Sequence, residues 1–275
     1  MTNVIDYIKD VWQVETEILD VIDKVCEENN LKYSLAYGTL IGAVRHKGFI
    51  PWDDDIDIVM PVKDYEKLLE IWDDVAPEGY LLQNKKRESD FTQNFSKIRK
   101  DHTAFLEYEE ERTANYHKGI FVDIFPGYRV APGKISRKMQ YIACAVNLLY
   151  SREFTSGSGG LIGFVEKILI HFPGKIQKKL LESSNKFIAR WSSNDSLDYF
   201  FPNTIGVAGH YYPAELFDKM TKLTFEGKEY SCVDDWDNFL KKDYGDYMQL
   251  PPESERTWAH HPLLIDFEHN YEELK

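Results

Sequence analysis

A chain of 275 residues, 43% hydrophobic and 29% charged, has the composition of an ordered soluble protein with room for one large catalytic domain and an annex. Its net charge of −13 argues against nucleic acid as a partner, and three scattered cysteines (Cys26, Cys144, Cys232) give neither a disulfide framework nor a thiolate zinc site. The opening MTNVIDYIKD lacks a basic-then-apolar leader and the longest apolar stretch, Tyr141 to Tyr150, is too short for a bilayer, so a cytoplasmic chain is expected.

Val14, Ile18, Val21, Ile22 and Val25 recur at helical spacing and Asn29-Asn30 supplies a stop, which predicts an amphipathic helix over about 14–29. Alternation of Leu31, Tyr33, Leu35 and Tyr37 predicts a strand ending at Gly38-Thr39, with a short helix through Leu40, Ile41 and Val44. After the break at Pro51, Ile56 to Met60 reads as a second strand closed by Pro61, and Tyr65, Leu68, Leu69 and Trp72 mark another helix. Strands are also expected over 95–99 and 119–125, the latter terminated by Pro126-Gly127.

Beyond residue 133 the pattern turns helical. Ile135, Met139, Ile142, Val146 and Leu149 share one face, as do Leu161, Val165, Ile168, Leu169 and Phe172, and a third helix is expected over 176–191. Thr155 to Gly160 has the composition of a flexible linker. From Lys134 to Trp191 ten Lys/Arg face only Glu153, Glu166 and Glu182, a balance of +7 that leaves −20 on the remainder. A hairpin around Glu226-Gly227-Lys228 and a helix over about 235–244, stopped by Gly245, complete the reading. The fold class is α+β, a mixed sheet flanked by helices, with a catalytic core over 1–133, a mostly helical basic insert over 134–204, and a C-terminal part, 205–275, completing the core.

The densest chemistry lies in Trp52-Asp53-Asp54-Asp55-Ile56-Asp57, where strand alternation would put Asp53, Asp55 and Asp57 on one face and Asp54 on the other. Carboxylates at i and i+2 can grip one cation, and oxygen-only ligands suit Mg2+ or Mn2+ rather than zinc. The plain alternative is an acidic turn. Against it, charges leading straight into an apolar strand sit at the edge of a core, where a cation relieves their repulsion. Asp123, inside the apolar run Gly119 to Phe125, needs a strong partner, either as a third metal ligand or in a salt bridge with a buried Lys or Arg. Gly38-Thr39, between a strand and a helix, offers backbone N–H groups to a phosphate.

A glycine turn, an Asp-x-Asp strand and a later strand with one acid follow the order of the nucleotidyltransferase fold. The stretch Tyr37 to Asp57, YGTLIGAVRHKGFIPWDDDID, closely resembles the signature of the LicD and fukutin-related family. So do Ser96-Lys97-Ile98-Arg99, His117 to Pro126, and Tyr244 to Pro252 with His260-His261, whereas the likeness is loose over the basic insert. The resemblance implies a nucleotidyltransferase-like sheet and transfer of a phosphorylated alcohol, phosphocholine in the common bacterial case. The donor would be CDP-choline or a similar CDP-alcohol, and the acceptor a sugar hydroxyl of a lipid-linked cell-surface glycan precursor such as teichoic acid, met at the inner membrane face. It makes Asp55, Asp57 and Asp123 the ligands of Mg2+ or Mn2+, with Asp123 also the base and Asp53 just behind them. Gly38-Thr39 becomes the phosphate turn, and Arg45, Lys47, Lys97 and Arg99 are candidates for the donor phosphates. Trp52 and Tyr37 could stack a base or enclose a quaternary ammonium, and His260 and His261 could contact donor or acceptor. The competing readings are a nucleotidyltransferase or DxD glycosyltransferase with a nucleotide-activated donor, and a non-catalytic CDP-alcohol-binding module. The segment 134–191 is expected to contact anionic membrane.

Overall fold

The first helix, α1 (Val4–Glu28), starts well before the predicted boundary, because Ile8 and Val11 extend its buried face toward the N-terminus. Val14 and Val21 are only half-buried; the centre of the buried stripe runs through Val11, Glu15, Ile18 and Ile22. A computed structural model describes residues 4–108, 112–151, 169, 171–201, 210–258, 260 and 262–275. It divides into two units, the first of residues 1–91, 95–125 and 216–275, the second of 92–94 and 126–215.

The first unit is built on a mixed sheet whose strands lie in the order β1 (Ser34–Leu35), β2 (Asp57–Pro61), β6 (Phe121–Arg129), β4 (Ser96–Lys100) and β3 (Tyr80–Gln83). Ile58, Val59 and Met60 of β2, Ile98 of β4 and Val122 and Ile124 of β6 are fully buried, which places the core around the three central strands. Helices α2 (Tyr37–Arg45) and α3 (Val62–Val75) flank β2, and Trp72 of α3 is anchored by an indole hydrogen bond of 2.9 Å to the carbonyl of Tyr80. A short pair, β5 (Ala104–Leu106) with β10 (Leu264–Asp266), brings the C-terminal segment back to this unit. Strands β3, β5 and β10 lacked a periodic signal long enough to read in advance.

The predicted hairpin is β8 (Met220–Phe225) with β9 (Lys228–Val233). Its two-residue turn has φ of 48° at Glu226 and 78° at Gly227, the sign a tight antiparallel connection requires. The hairpin tip braces the loop ahead of the aspartates: Glu226 donates its N–H to Lys47 at 3.0 Å and accepts the Phe49 N–H at 3.1 Å. A Cβ on Gly48 would collide with that Glu226 carboxylate. Phe49 stacks on Trp12 of α1 at 4.8 Å and meets Phe225 at 4.8 Å with its ring tilted. The helix α6 (Trp236–Tyr244) ends, as predicted, at Gly245 with φ 64°.

The second unit contains α4 (Lys134–Ser151), α5 (Gly174–Ile188) and β7 (Tyr199–Phe200), which pairs with the far end of β6. Its core joins Val130, Ala143, Cys144, Ile188 and Phe200. Gln140 knits the parts together, donating to the carbonyls of Arg129 (3.0 Å) and Ile188 (3.1 Å) and accepting the Ala131 N–H (2.7 Å). The expected end of a strand at Pro126-Gly127 is corrected: β6 runs through both. Pairing with β4 stops at Ile124 and pairing with β7 starts at Tyr128, so neither of these two strands calls on the missing N–H of Pro126. The predicted linker Thr155 to Gly160 and most of the predicted helix through Leu161 to Phe172 lie outside the described residues. The three cysteines are free and buried. Among the described residues no helix is long and apolar enough to cross a membrane.

Candidate active site

Asp53 to Ile56 form an extended lead into β2, which begins at Asp57. Asp54 and Ile56 are buried while Asp53, Asp55 and Asp57 are half-buried, the alternation that the sequence predicts. One carboxylate oxygen from each of Asp53, Asp54 and Asp55 lies within 4.8 Å of the other two, a spacing able to hold a metal ion. Asp57 stands beside Asp123 of the adjacent β6, which donates its backbone N–H to the carbonyl of Ile56 at 2.9 Å.

Crowding marks these acids electrostatically. Burial, followed by the charges of Asp55 and Asp54 and a hydrogen bond shared with Asp55, pushes Asp53 up to about 8. Burial holds Asp55 up at about 6 even though His260 and Lys97 pull it down, and burial with Asp55, Asp123 and Asp53 drives Asp57 well above the carboxylate range. Asp123 is raised by burial and opposed by Lys97.

Lys97 lies opposite Asp123 in the β4–β6 register, and its Nζ is 3.0 Å from Asp123 Oδ1 and 3.1 Å from the centre of the Phe121 ring. The salt-bridge partner anticipated for Asp123 is therefore present, yet Asp123 Oδ1 has no aligned hydrogen bond. Lys97 itself is buried and serves as the acids' counter-charge. Arg99 requires a correction. It is 1% exposed, and its guanidinium donates to Gln83 Oε1 at 2.6 Å and the Gly119 carbonyl at 2.5 Å, so it braces strands and cannot reach a donor phosphate.

The start of α2 faces the same acids. A Cβ on Gly38 would clash with the side chain of Asp53, so the turn expected to take a phosphate is already faced by a carboxyl group of the protein's own. Thr39 is buried and its Oγ1 accepts the Asp57 N–H at 2.8 Å, which fixes the first residue of β2. Tyr37, buried and at φ 46°, sets its ring edge-on to Phe125.

His260 arrives from the C-terminal segment with both ring nitrogens engaged. Nδ1 is 3.0 Å from Asp54 Oδ1 and Nε2 is 3.2 Å from Glu107 Oε1, while the ring edges approach Phe105 and Phe121. Burial works against its charge, but the Asp54 hydrogen bond and the charges of Glu107, Asp55 and Asp54 outweigh it and raise the imidazole to about 9. His260 is thus a charged clamp on Asp54, with its nitrogens occupied by the protein. His261 lies outside the described residues.

Arg45, Lys47 and Trp52 come just before the aspartates in the chain. Arg45 donates to the Tyr247 carbonyl at 2.5 Å, Lys47 is exposed at φ 63°, and half-buried Trp52 carries the Arg256 guanidinium 5.2 Å from its ring centre. Arg256, Glu107 and Glu15 escaped the sequence reading. Only Glu15 left a signal, an acid on the helical period between Val11 and Ile18.

The family model for the LicD/FKTN/FKRP nucleotidyltransferase domain matches residues 30–143, the segment that carries the Gly38 turn, the aspartate run, Lys97 and Asp123. The lipopolysaccharide cholinephosphotransferase LicD of Haemophilus influenzae is 28% identical over 250 residues, 89% of this chain and 92% of that protein. Uncharacterised proteins of Rickettsia typhi and Rickettsia prowazekii are each 42% identical over 59 residues, 22% of this chain and 19% and 22% of theirs. With the domain match spanning the site and the long match continuing beyond it, residues 30–143 resemble the LicD/FKTN/FKRP nucleotidyltransferase domain and most of the chain is similar to a LicD protein.

Proposed function

We propose that this protein transfers phosphocholine, or a closely related phosphorylated alcohol, from a CDP-linked donor to a sugar hydroxyl of a lipid-linked glycan precursor of the teichoic-acid kind. It does so at the inner membrane face with Mg2+ or Mn2+. The observation that carries the reading is the crowd of carboxylates around Asp55, whose negative charge exceeds what Lys97 and His260 offset. The fit to a hard cation rests on the all-oxygen donor set and on the spacing of the Asp53, Asp54 and Asp55 carboxylates. Asp55, Asp57 and Asp123 would hold the ion, with Asp53 beside them. When bound, the ion supplies charge neutralisation for the donor diphosphate and for the departing cytidine monophosphate.

The chain's own residues supply the rest. Asp123, raised toward neutrality by burial, is suited to accept the proton of the attacking hydroxyl. Lys97 limits how far that carboxylate rises. Arg45 and Arg256, close enough to repel each other, suit the donor phosphates, and the N–H groups at the start of α2, which Asp53 now faces, suit an anion. Trp52, with a cation already over its ring, can receive a quaternary ammonium or a base. The name of the Haemophilus relative supports phosphocholine over other alcohols.

The test is release of cytidine monophosphate from CDP-choline, CDP-ribitol and CDP-glycerol with Mg2+ or Mn2+. Asp55→Ala and Asp57→Ala should each abolish turnover and leave the fold intact, since removing one of several crowded carboxylates relieves repulsion. Full activity in either variant refutes the assignment. Nucleotide rather than phosphocholine on the product would favour the nucleotidyltransferase reading.

A further inference from the structure

His117 and Lys118, at the head of the run that ends in Asp123, send their side chains to the end of the chain. His117 Nδ1 accepts the Gly119 N–H at 3.1 Å, so Nε2 carries the proton and donates it to Asn270 Oδ1 at 3.0 Å. Asn270 also accepts the His102 N–H at 3.0 Å and donates to Asp101 Oδ1 at 2.8 Å. Lys118 has a side chain 0% exposed; its ammonium donates to the carbonyls of Ala114 (2.8 Å) and Tyr116 (2.9 Å) and lies 3.3 Å from Glu272 Oε1. Between these two anchors Tyr271 is buried with Ala104 and Leu106 of β5. Chain ends ordinarily fray, whereas here three consecutive tail residues satisfy a buried ammonium, an imidazole and an apolar pocket.

What the fastening holds follows from the strands just upstream. Every residue of β10 is only half-buried, and its partner β5 has three residues, too few for a ribbon to persist by itself. The Leu263 N–H bonds the Leu106 carbonyl at 2.7 Å, which carries the pairing back toward His260, and the Phe105 N–H bonds the Lys118 carbonyl at 2.6 Å. Strand β5 is therefore held between the tail and the segment that anchors the tail. Glu107 follows β5 directly and His260 precedes β10, so docking of the tail joins the two at 3.2 Å and lays the His260 backbone N–H and ring Nδ1 on the Asp54 carboxylate.

We propose that Asn270 and Glu272 are positioning residues of the site: by latching the tail to His117 and Lys118 they keep β10 on β5 and set His260 against Asp54. The inference goes beyond the reading above and holds whichever donor the site takes. The tail half of the latch lies beyond the matched domain, which ends at residue 143.

The test uses the full chain, metal-free at constant pH, with 15N-labelled histidine and the His260 ring signals assigned by their loss in His260→Gln. Asn270→Ala and Glu272→Ala should each displace or broaden those signals. They should also speed amide hydrogen exchange over residues 257–265 at least about tenfold while leaving the β8–β9 hairpin at its wild-type rate, because local opening is confined to the unit that was loosened. Tyr230→Phe, which removes the hairpin's 2.7 Å hydrogen bond to Asp20, is the control for general loss of stability, and its His260 signals should stay in place. If Asn270→Ala does not accumulate folded protein, Glu272→Ala decides, since that side chain is 54% exposed and its loss leaves no cavity. Folded latch variants with wild-type His260 signals and wild-type exchange overturn the proposal, as does a Tyr230→Phe protein that disturbs His260 equally. Loss of the His260 signals in latch variants of a protein that releases no cytidine monophosphate from any CDP-linked donor would sink the phosphocholine reading and leave the latch standing.

Discussion

Asp53, Asp55 and His260 hold protons far above their ordinary ranges, at about 8, about 6 and about 9 against 3.8, 3.8 and 6.5. A group whose folded pKa is raised binds its proton more tightly in the folded state, so its stabilisation is complete below the unfolded value and is lost as pH rises through the folded one. All three therefore act in one direction. The metal-free protein should lose thermal stability progressively from about pH 4 to about pH 9, the carboxylates acting first and His260 from about 6.5 upward. A divalent cation competes with those protons, so Mg2+ or Mn2+ should raise the melting temperature more at the alkaline end. Melting curves across that range, with chelator and with Mn2+, check both statements; a chelated protein that grows more stable with rising pH would contradict them. At this scale the burial of Asp123 could be read from sequence because charge inside an apolar run is itself a signal. Arg99 was misread because nothing in a strand's alternation shows that Gln83 and Gly119 lie across the sheet to receive it. Glu107 and Arg256 sit in segments without periodicity, and only the folded chain brings them to His260 and Trp52.

Among the elements, α2 shows how local geometry holds the site. Thr39 stands at its first turn, in the pair whose backbone N–H groups sequence reading offered to a phosphate, and its hydroxyl accepts the backbone N–H of Asp57. Thr39→Val should leave that N–H without an acceptor and cost roughly 1–3 kcal/mol of stability. Thr39→Ser should restore it. Chemical denaturation of the three proteins decides the matter: unchanged stability in Thr39→Val with a raised KM for the donor would return Thr39 to the phosphate role. Helices were legible because each has an apolar repeat of several turns, and their ends were legible where glycine permits a left-handed residue, as at Gly245. The short strands were not. Three or four residues carry too little alternation, and β6 passes through Pro126 only because two different partners pair on either side of it.

Across the whole chain, charge is divided between an acidic body and a basic helical segment, +7 over 134–191 against a total of −13. The stripe of α4 that reads as apolar in sequence is not the one its unit buries. Ile135, Met139 and Ile142, on one face, are 80%, 51% and 51% exposed, while Gln140, Ala143, Cys144 and Asn147 form the buried side. Exposed Lys134 and Lys138 flank that stripe, and on α5 the exposed Lys179 lies between exposed Lys175 and Ile176 in helical projection. Apolar side chains rimmed by lysine suit an anionic bilayer, where each well-placed Lys or Arg contributes about 1 kcal/mol. If the charges only solvate the helices, no lipid dependence follows. Binding of the full chain to vesicles containing phosphatidylglycerol should be strong at low salt and fall steeply as salt rises. Changing Lys175, Lys178 and Lys179 to Glu should weaken it most at low salt, whereas changing Ile135, Met139 and Ile142 to Ser should weaken it at every salt concentration. Hydrolysis of a soluble CDP-linked donor should be untouched in both variants, because Asp55, Asp57 and Asp123 belong to the other unit. Wild-type protein that ignores anionic vesicles at low salt would leave the exposed stripe to a protein or glycan partner and remove the bilayer from the account.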